Sequence, residues 1–321
     1  MNVVMIIPTG IGCKIGGHAG DANPVAKLLG SVCDNLILHP NVVNASDINE
    51  MPENAWYVEG SLLDRFLEGK IKLEKPRSNK ILLAVNKPIR PETINAVSAA
   101  RHTIGCEVEI VELDSELKMI GKYDHNGCAG GEVFGVEALV EQIEKYHFDA
   151  LCIATQISVP KEVALKYLRK GGVNPWGGIE AITSKAIANR INKPVAHAPV
   201  ETDDVELSTF KEAVNPREAA EVVSNCYVHC VFKGLHKAPR VSNKGLSVED
   251  VDCLITPTGC VGRPHRACLK AGIPIIAVKE NMTCLNDKMP DEFILVENYL
   301  EAVGMIILLK TGMTITSVTT K

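Results

Sequence analysis

NVVMIIPTG, residues 2–10, decides the fold: a short, β-branched, almost wholly apolar run that stops at a Pro-Thr-Gly turn. Such a run reads as a strand covered on both faces, the signature of a parallel sheet flanked by helices. The same phrase returns near the other end as CLITPTG, residues 253–259. Working outward from these two anchors, apolar runs alternate with helix-period stretches. Strands are expected at 2–7, 35–39, 80–86, 106–112, 149–155, 226–232, 252–256 and 273–278, with a strand end at Pro194–His197. Helices are expected at 22–30, after Pro91, and at 136–146, 179–191, 216–224, 264–271 and 299–311. Strand–helix alternation predicts βαβ units, hence an α/β fold with mostly parallel sheet and helices on its faces.

The anchors extend into an internal repeat. VMIIPTG, a Gly-rich loop with His18, a helix, LILHPN and VVNASD stand beside CLITPTG, a loop with His265, a helix, IIAVKEN and MTCLND. Asn41 then matches Asn281, and Asp47 matches Asp287 at the same spacing. A weaker third copy starts at Asp149. The 321 residues suit one compact α/β body (1–321) with repeated lobes and internal boundaries near 68–79 and 233–247.

Bulk chemistry narrows the function. A net charge of −5 argues against a nucleic-acid partner, which needs a basic face. No apolar run reaches the roughly 18 residues of a membrane span, and residues 1–8 lack the basic start of a signal peptide. Eleven cysteines in a chain of this length point to a reducing, cytoplasmic setting rather than a disulfide framework. Cys152, Cys226 and Cys253 lie in apolar runs and read as core residues. A homo-oligomer is compatible with all of this.

Ligands of open α/β sheets bind beyond the carboxyl ends of the strands, where this chain places its polar loops. The first loop holds Thr9, Gly10, Gly12, Cys13, Gly16, Gly17 and His18. Its glycines would let consecutive backbone N–H groups form an anion nest. It carries neither the Gly-Lys-Ser/Thr of a phosphate loop nor G-x-G-x-x-G, so a nucleotide is not expected. The last loop holds Thr258, Gly259, Cys260, Gly262, Arg263 and His265. A thiol at a helix start beside Arg and His should be acidified to a usable thiolate. Arg263 could grip a substrate carboxylate with its two-pronged guanidinium.

Paired thiols from similar loops suggest cofactor-independent proton transfer on a small carboxylate-bearing substrate, as in a racemase, epimerase or isomerase. Cys260 and Cys13 would be acid and base, tuned by His265 and His18. Aspartate and glutamate racemases are similar in having two related α/β halves, but their Cys-Asn-Thr and Gly-Cys-Thr-His signatures are absent here. Two alternatives stand beside this: Cys260 as nucleophile of an amide or cyclic-amide hydrolase, or a non-catalytic small-anion module. Asn41, Asn174, Trp176, Gly177, Gly178, His197, Lys279 and Asn281 complete the candidate binding set, and the Gly-rich Asp124–Gly131 stretch is a further polar loop or else a plain turn. No CxxC or HExxH pattern marks a metal site, so none is assigned, although His18, His39, His125 and His265 could converge on one. No cofactor is expected.

VMIIPTGIGCKIGGHAGDANPVAKLL (4–29), NPWGGIEA (174–181), PVAHAP (194–199) and ITPTGCVGRPH (255–265) together resemble a family catalogued as domain of unknown function 3326. The resemblance spans nearly the whole chain. It implies a soluble full-length module and carries no activity.

Overall fold

In a computed structural model the chain begins as expected, with β1 (Asn2–Met5) buried at Val3, Val4 and Met5. The structure describes residues 1–17, 20–43, 50–200, 213, 214, 216, 219 and 227–320. From β1 the chain runs through α1 (Asn23–Gly30), β2 (Asn35–Leu38), the single turn α2 (Pro40–Val43), β3 (Ala55–Tyr57) and α3 (Gly60–Leu67). It leaves through β4 (Lys72–Glu74) and builds β5 (Lys80–Val85), α4 (Pro91–Ala99), β6 (Glu107–Glu112), β7 (Lys118–Tyr123), β8 (Ala129–Phe134) and α5 (Val136–Ile143). β9 (Ala150–Thr155), β10 (Ile157–Ser158), α6 (Lys161–Lys170), α7 (Gly177–Ile191), β11 (Val195–Pro199) and α8 (Tyr227–Lys237) follow. It returns through β12 (Arg240–Ser242) to β13 (Cys253–Thr258), α9 (Arg263–Ala271), β14 (Ile275–Met282), β15 (Ile294–Val296), α10 (Tyr299–Thr311) and α11 (Ile315–Val318).

Two parallel sheets result. The first has the order β15-β14-β13-β1-β2-β3, with Val3 opposite both Cys253 and Leu36. The second has the order β11-β9-β5-β6, with Leu83 opposite Cys152. The first sheet is therefore made from both ends of the chain and the second from its middle. The two segments that cross between them, one in 68–79 and one in 233–247, pair antiparallel: Leu73 lies opposite Val241 and Glu74 opposite Arg240. A small β10-β7-β8 sheet hangs on the second.

Burial explains the arrangement. The largest apolar cluster joins the inner faces of the two sheets through α1, α4, α8 and α10, with Leu29, Val97, Phe232 and Ile306 all buried. A second cluster packs α3 and α9 on the first sheet, and a third packs α5 and α7 on the second. In α3, Leu62, Leu63, Phe66 and Leu67 are all buried, at roughly 1.5–3 kcal/mol for each large side chain. Cys152 and Cys253 are core residues; Cys226 and, apart from 216 and 219, the helix expected at 216–224 lie outside the described residues.

One expected element is different in kind. CYVHCVF was read as a strand at 226–232, but Tyr227–Lys237 is a helix. Its buried residues Val228, Val231, Phe232 and Leu235 recur at helical spacing, and the helix covers the face formed by β5, β9 and β11. The β-branched composition was overridden by that apolar face. β3, α3, β4, β7, β8, β10, α6, β12 and β15 have no counterpart among the expected elements.

Candidate active site

The carboxyl ends of β1, β2 and β3, the loop after β13 and the first half of β11 open onto one cavity of about 350 Å³. That is the low end of the size range for small-molecule sites. Two helices wall it: α3 brings Glu59, Ser61 and Asp64 at its start, and α7 brings Gly177, Glu180, Ser184 and Lys185. Thr9, His39, Asn41, Tyr57, His197, Cys260, Gly262, His265 and Asp287 complete the polar wall.

Glu59 is the most strained chemically. It is only 6 % exposed, its Oε1 has no hydrogen-bond partner, and burial pushes its carboxyl up to about 8, with the nearby Tyr57 hydroxyl pulling the other way. At neutral pH it is largely a protonated acid. Two positions on, Ser61 Oγ is also buried without a partner. Tyr57 is itself held in its phenol form, first by burial and then by Glu59. On the opposite wall His197 Nδ1 lies 3.1 Å from Glu180 Oε1, while Nε2 lies 3.0 Å from Thr155 Oγ1 and 3.1 Å from its carbonyl. Both ring nitrogens are engaged, so His197 fixes Glu180 rather than presenting a free nitrogen. His39 accepts the Asn41 N–H on Nδ1 and is kept neutral, its burial lowering it to about 4. Gly60 exists for that ring: a Cβ there would come within 2.9 Å of His39 Nε2.

The thiols behave differently from the expectation. Cys260 lines the cavity, but burial pushes it up to about 12, against a hydrogen bond with Thr256 and with Asp287 adding to the rise. Cys13 is raised further by burial, Asp21 and then Cys260; its thiol donates to the Ile15 carbonyl at 3.0 Å. The two sulfurs are neighbours, yet neither is an acidified thiolate. The groups meant to acidify them are occupied. Arg263 turns its fork to Glu68, with Nε on Oε1 and Nη2 on Oε2 at 2.7 Å, and its Nη1 lies 3.5 Å from Asp64 Oδ2, so its donors already face the protein's own carboxylates. His265 is neutral, lowered to about 4 by burial and then Arg266. Its Nδ1 accepts the Gly262 N–H at 2.9 Å, and Nε2 lies 2.8 Å from Thr256 Oγ1, making it a cap for α9.

The anion nest is likewise closed from within. Ile15 N–H donates to Asn281 Oδ1 at 2.8 Å, and Gly16 N–H donates to Asp21 Oδ1 at 2.6 Å. Asn281 Nδ2 donates to the Ile15 carbonyl and to the Tyr299 hydroxyl, so this residue clamps the loop. Gly10 and Gly178 allow a three-way backbone contact: a Cβ on either would run into the Ala129 carbonyl oxygen, at 2.7 and 2.0 Å. Gly12 sits against Val173, Gly16 against Ile7, Gly17 against the Cys13 carbonyl, and Gly259 against Thr283. Thr258 Oγ1 donates to the Val278 carbonyl at 3.4 Å. Asn174 Oδ1 accepts the N–H groups of Trp176 and Gly177, and Trp176 packs edge-on against Tyr167. Lys279 pairs with Glu297 at 2.5 Å. The Asp124–Gly131 stretch is the turn of the β7–β8 hairpin (124–128) with the start of β8, its amides at 126 and 128 held by Asp124. His18 lies outside the described residues.

Of the sequence candidates, then, the cavity gathers Thr9, Asn41, Gly177, His197, Cys260, Gly262 and His265. Asn41 Nδ2 donates to Thr9 Oγ1 at 2.9 Å, tying the ends of β1 and β2. Glu59, Ser61, Tyr57 and Glu180 were missed as site residues. The signal for the first was AWYVEGSLLDRFL (55–67), another apolar run ending in a polar residue and Gly before a helix-period stretch. Among the described residues no group of three or more His, Cys, Asp or Glu is arranged to hold a metal ion.

A family model described as a protein of unknown function, DUF3326, matches residues 2–319. An uncharacterised lipoprotein of Synechococcus sp. (strain PCC 6301) is 34% identical over 332 residues, covering 97% of this chain and 91% of that protein. No solved structure matches the chain. Among the described residues no helix is long and apolar enough to cross a membrane.

Proposed function

The chain belongs to the DUF3326 family, whose description carries no activity, and from the cavity alone we propose an enzyme that moves protons on a small polar ligand. Glu59 is the general acid and Glu180, positioned by His197, is the base. One proton passes from the ligand to Glu180 and another from Glu59 to the ligand, so the net change is an isomerisation. The chemistry needs only the chain's own carboxyls. Two glutamates in contrasting surroundings, one buried and raised, the other held by an imidazole, are how acid and base roles are divided in such sites.

The observation that carries this reading is a pair of buried and unpartnered polar atoms, Glu59 Oε1 and Ser61 Oγ, from residues two apart in the cavity wall. Buried polar atoms are ordinarily partnered, so two unpartnered ones in one wall mark where a ligand's polar groups belong. Of the four carboxyl groups that line the cavity, Glu59 is largely protonated and Asp64 faces both Lys185 at 3.6 Å and Arg263 at 3.5 Å, which leaves Glu180 and Asp287 as the wall's other acidic groups. That balance favours a ligand rich in hydroxyl or amino groups over the carboxylate-bearing one expected from the sequence. The duplicated strand–PTG–loop–helix units, β1-α1-β2 and β13-α9-β14, are part of the same proposal: side by side in one sheet, they deliver Thr9, Asn41 and Cys260 to a common end. A thiol–thiol mechanism through Cys260 and Cys13 is less favoured because both are protonated and Cys13 is not part of the cavity wall.

The test pairs a ligand screen with isotope exchange. Polyols, amino sugars and amino alcohols are screened by thermal shift, and hits are incubated with protein in D2O and followed by NMR. Wild type should wash deuterium into a carbon position. Glu59→Gln and Glu180→Gln should slow this at least about 100-fold, the lower range for a general acid or base, while still binding. Undiminished exchange in both variants would overturn the assignment.

A further inference from the structure

The β7–β8 hairpin turn, which takes no part in the cavity, holds a second feature. Cys128 at the end of that turn and Cys284 just after β14 come from different sheets, yet the backbone brings them to consecutive residues of one loop, and Cys284 is among the groups that raise the Cys128 thiol. Both are unpaired thiols, Cys284 exposed and Cys128 half-buried. Their approach is fixed by backbone on both sides of Gly10 and Ile11. Ala129 N–H donates to the Gly10 carbonyl at 2.7 Å, and Cys284 N–H donates to the Ile11 carbonyl at 3.1 Å.

Neither cysteine sits on a loose tip. The Cys128 N–H donates to Asp124 Oδ1 at 2.9 Å, within a turn closed by the Asp124 N–H to Cys128 carbonyl bond. Cys284 follows Thr283, whose N–H donates to the Thr258 carbonyl and whose hydroxyl donates to the Gly259 carbonyl at 2.7 Å. Two cysteines on segments already anchored by their backbones lose little conformational freedom on joining. The eight other described cysteines are buried or half-buried, whereas this pair has a member that solvent reaches.

We propose that Cys128 and Cys284 form a reversible disulfide that fastens the hairpin of the small β10-β7-β8 sheet to the 283–287 loop of the first sheet. The oxidant is a small disulfide or a dithiol–disulfide oxidoreductase. The exposed Cys284 thiolate attacks one sulfur of the incoming disulfide RS–SR and expels RS⁻. The Cys128 thiolate then attacks the Cys284 sulfur and expels the second RS⁻. Two protein thiols are oxidised, one external disulfide is reduced to two thiols, and the protons follow the leaving thiolates. Asp124 and Asp287 both act on Cys128, so an uncharged disulfide should react faster than an anionic one. Asp287 is also part of the cavity wall, so the bond would brace one side of that cavity.

The full chain, reduced and freed of reductant, is incubated with hydroxyethyl disulfide, acid-quenched and mapped by mass spectrometry after alkylation. The expected result is a cross-linked peptide joining Cys128 to Cys284 and nine instead of eleven titratable thiols after denaturation. In Cys284→Ser the cross-link should vanish, with all other thiols retained. A stable hydroxyethyl adduct on Cys284 with Cys128 still free, or all eleven thiols surviving, would overturn the proposal.

Discussion

Replacing Glu59 by glutamine should make the protein more stable, and increasingly so as the pH rises. The carboxyl is pushed from 4.5 to about 8 by burial. A carboxyl raised in the folded state favours folding while protonated in both states, and that stability is lost as pH climbs from the unfolded value to the folded one. Between those limits the unfolded chain has released a proton that the folded chain keeps, so stability falls by about 1.4 kcal/mol per pH unit. By pH 7 the accumulated cost is about 3 kcal/mol, and it levels off near about 5 kcal/mol above pH 8. Glutamine keeps the shape and removes the titration. Urea unfolding of both proteins from pH 4.5 to 8.5 reads the difference directly. It should be near zero at pH 4.5 and grow with the stated slope. A difference that stays flat between pH 5 and 8 would refute the raised Glu59 and, with it, the acid role. Stabilisation of this kind alongside lost exchange chemistry is what a site strained for function shows.

Two further substitutions separate scaffold from site. Arg263→Ala breaks the fork on Glu68, a half-exposed pair, and should cost about 1 kcal/mol in urea unfolding while leaving ligand affinity in the thermal-shift screen unchanged, since the guanidinium holds Glu68 and not the ligand. Gly178→Ala places a methyl 2.0 Å from the Ala129 carbonyl oxygen, where backbone must move, and should lower stability by about 1–3 kcal/mol or more, read as a fall in Tm; an unchanged Tm would mean the three-way contact is loose.

Much of the fold was legible because it is written in local terms. NVVMII, KILLAV and ALCIAT are buried strands whose composition already names a parallel sheet, and Gly, Pro and Asn mark their ends. Tyr227–Lys237 was misread because Tyr, Val and Phe favour strands in isolation, and the face that overrules them, the surface of β5, β9 and β11, is assembled from residues far away in the chain. The crossing segments were visible as charged, Pro-bearing stretches, but their pairing, Leu73 opposite Val241, joins positions more than 160 residues apart and has no local signature.

The site divides along the same line. Residue type and loop position found Cys260, His265, His197 and Asn41, because reactive side chains at strand ends stand out in any sequence. What each does is decided by partners the sequence does not align: Glu68 takes Arg263, Gly262 takes His265, and Asn281 takes the loop that was to cradle an anion. Glu59 shows the converse. It sits in an unremarked AWYVEGS stretch, and its chemistry comes from enclosure alone, since a carboxyl in the same loop exposed to water would be an ordinary anion. A glutamate becomes an acid at neutral pH when the space around it is closed by Tyr57, α3 and α7 and one of its oxygens is left without a donor. The unpaired oxygen therefore says more about function than the paired thiols do, because the fold gives it no structural task to perform.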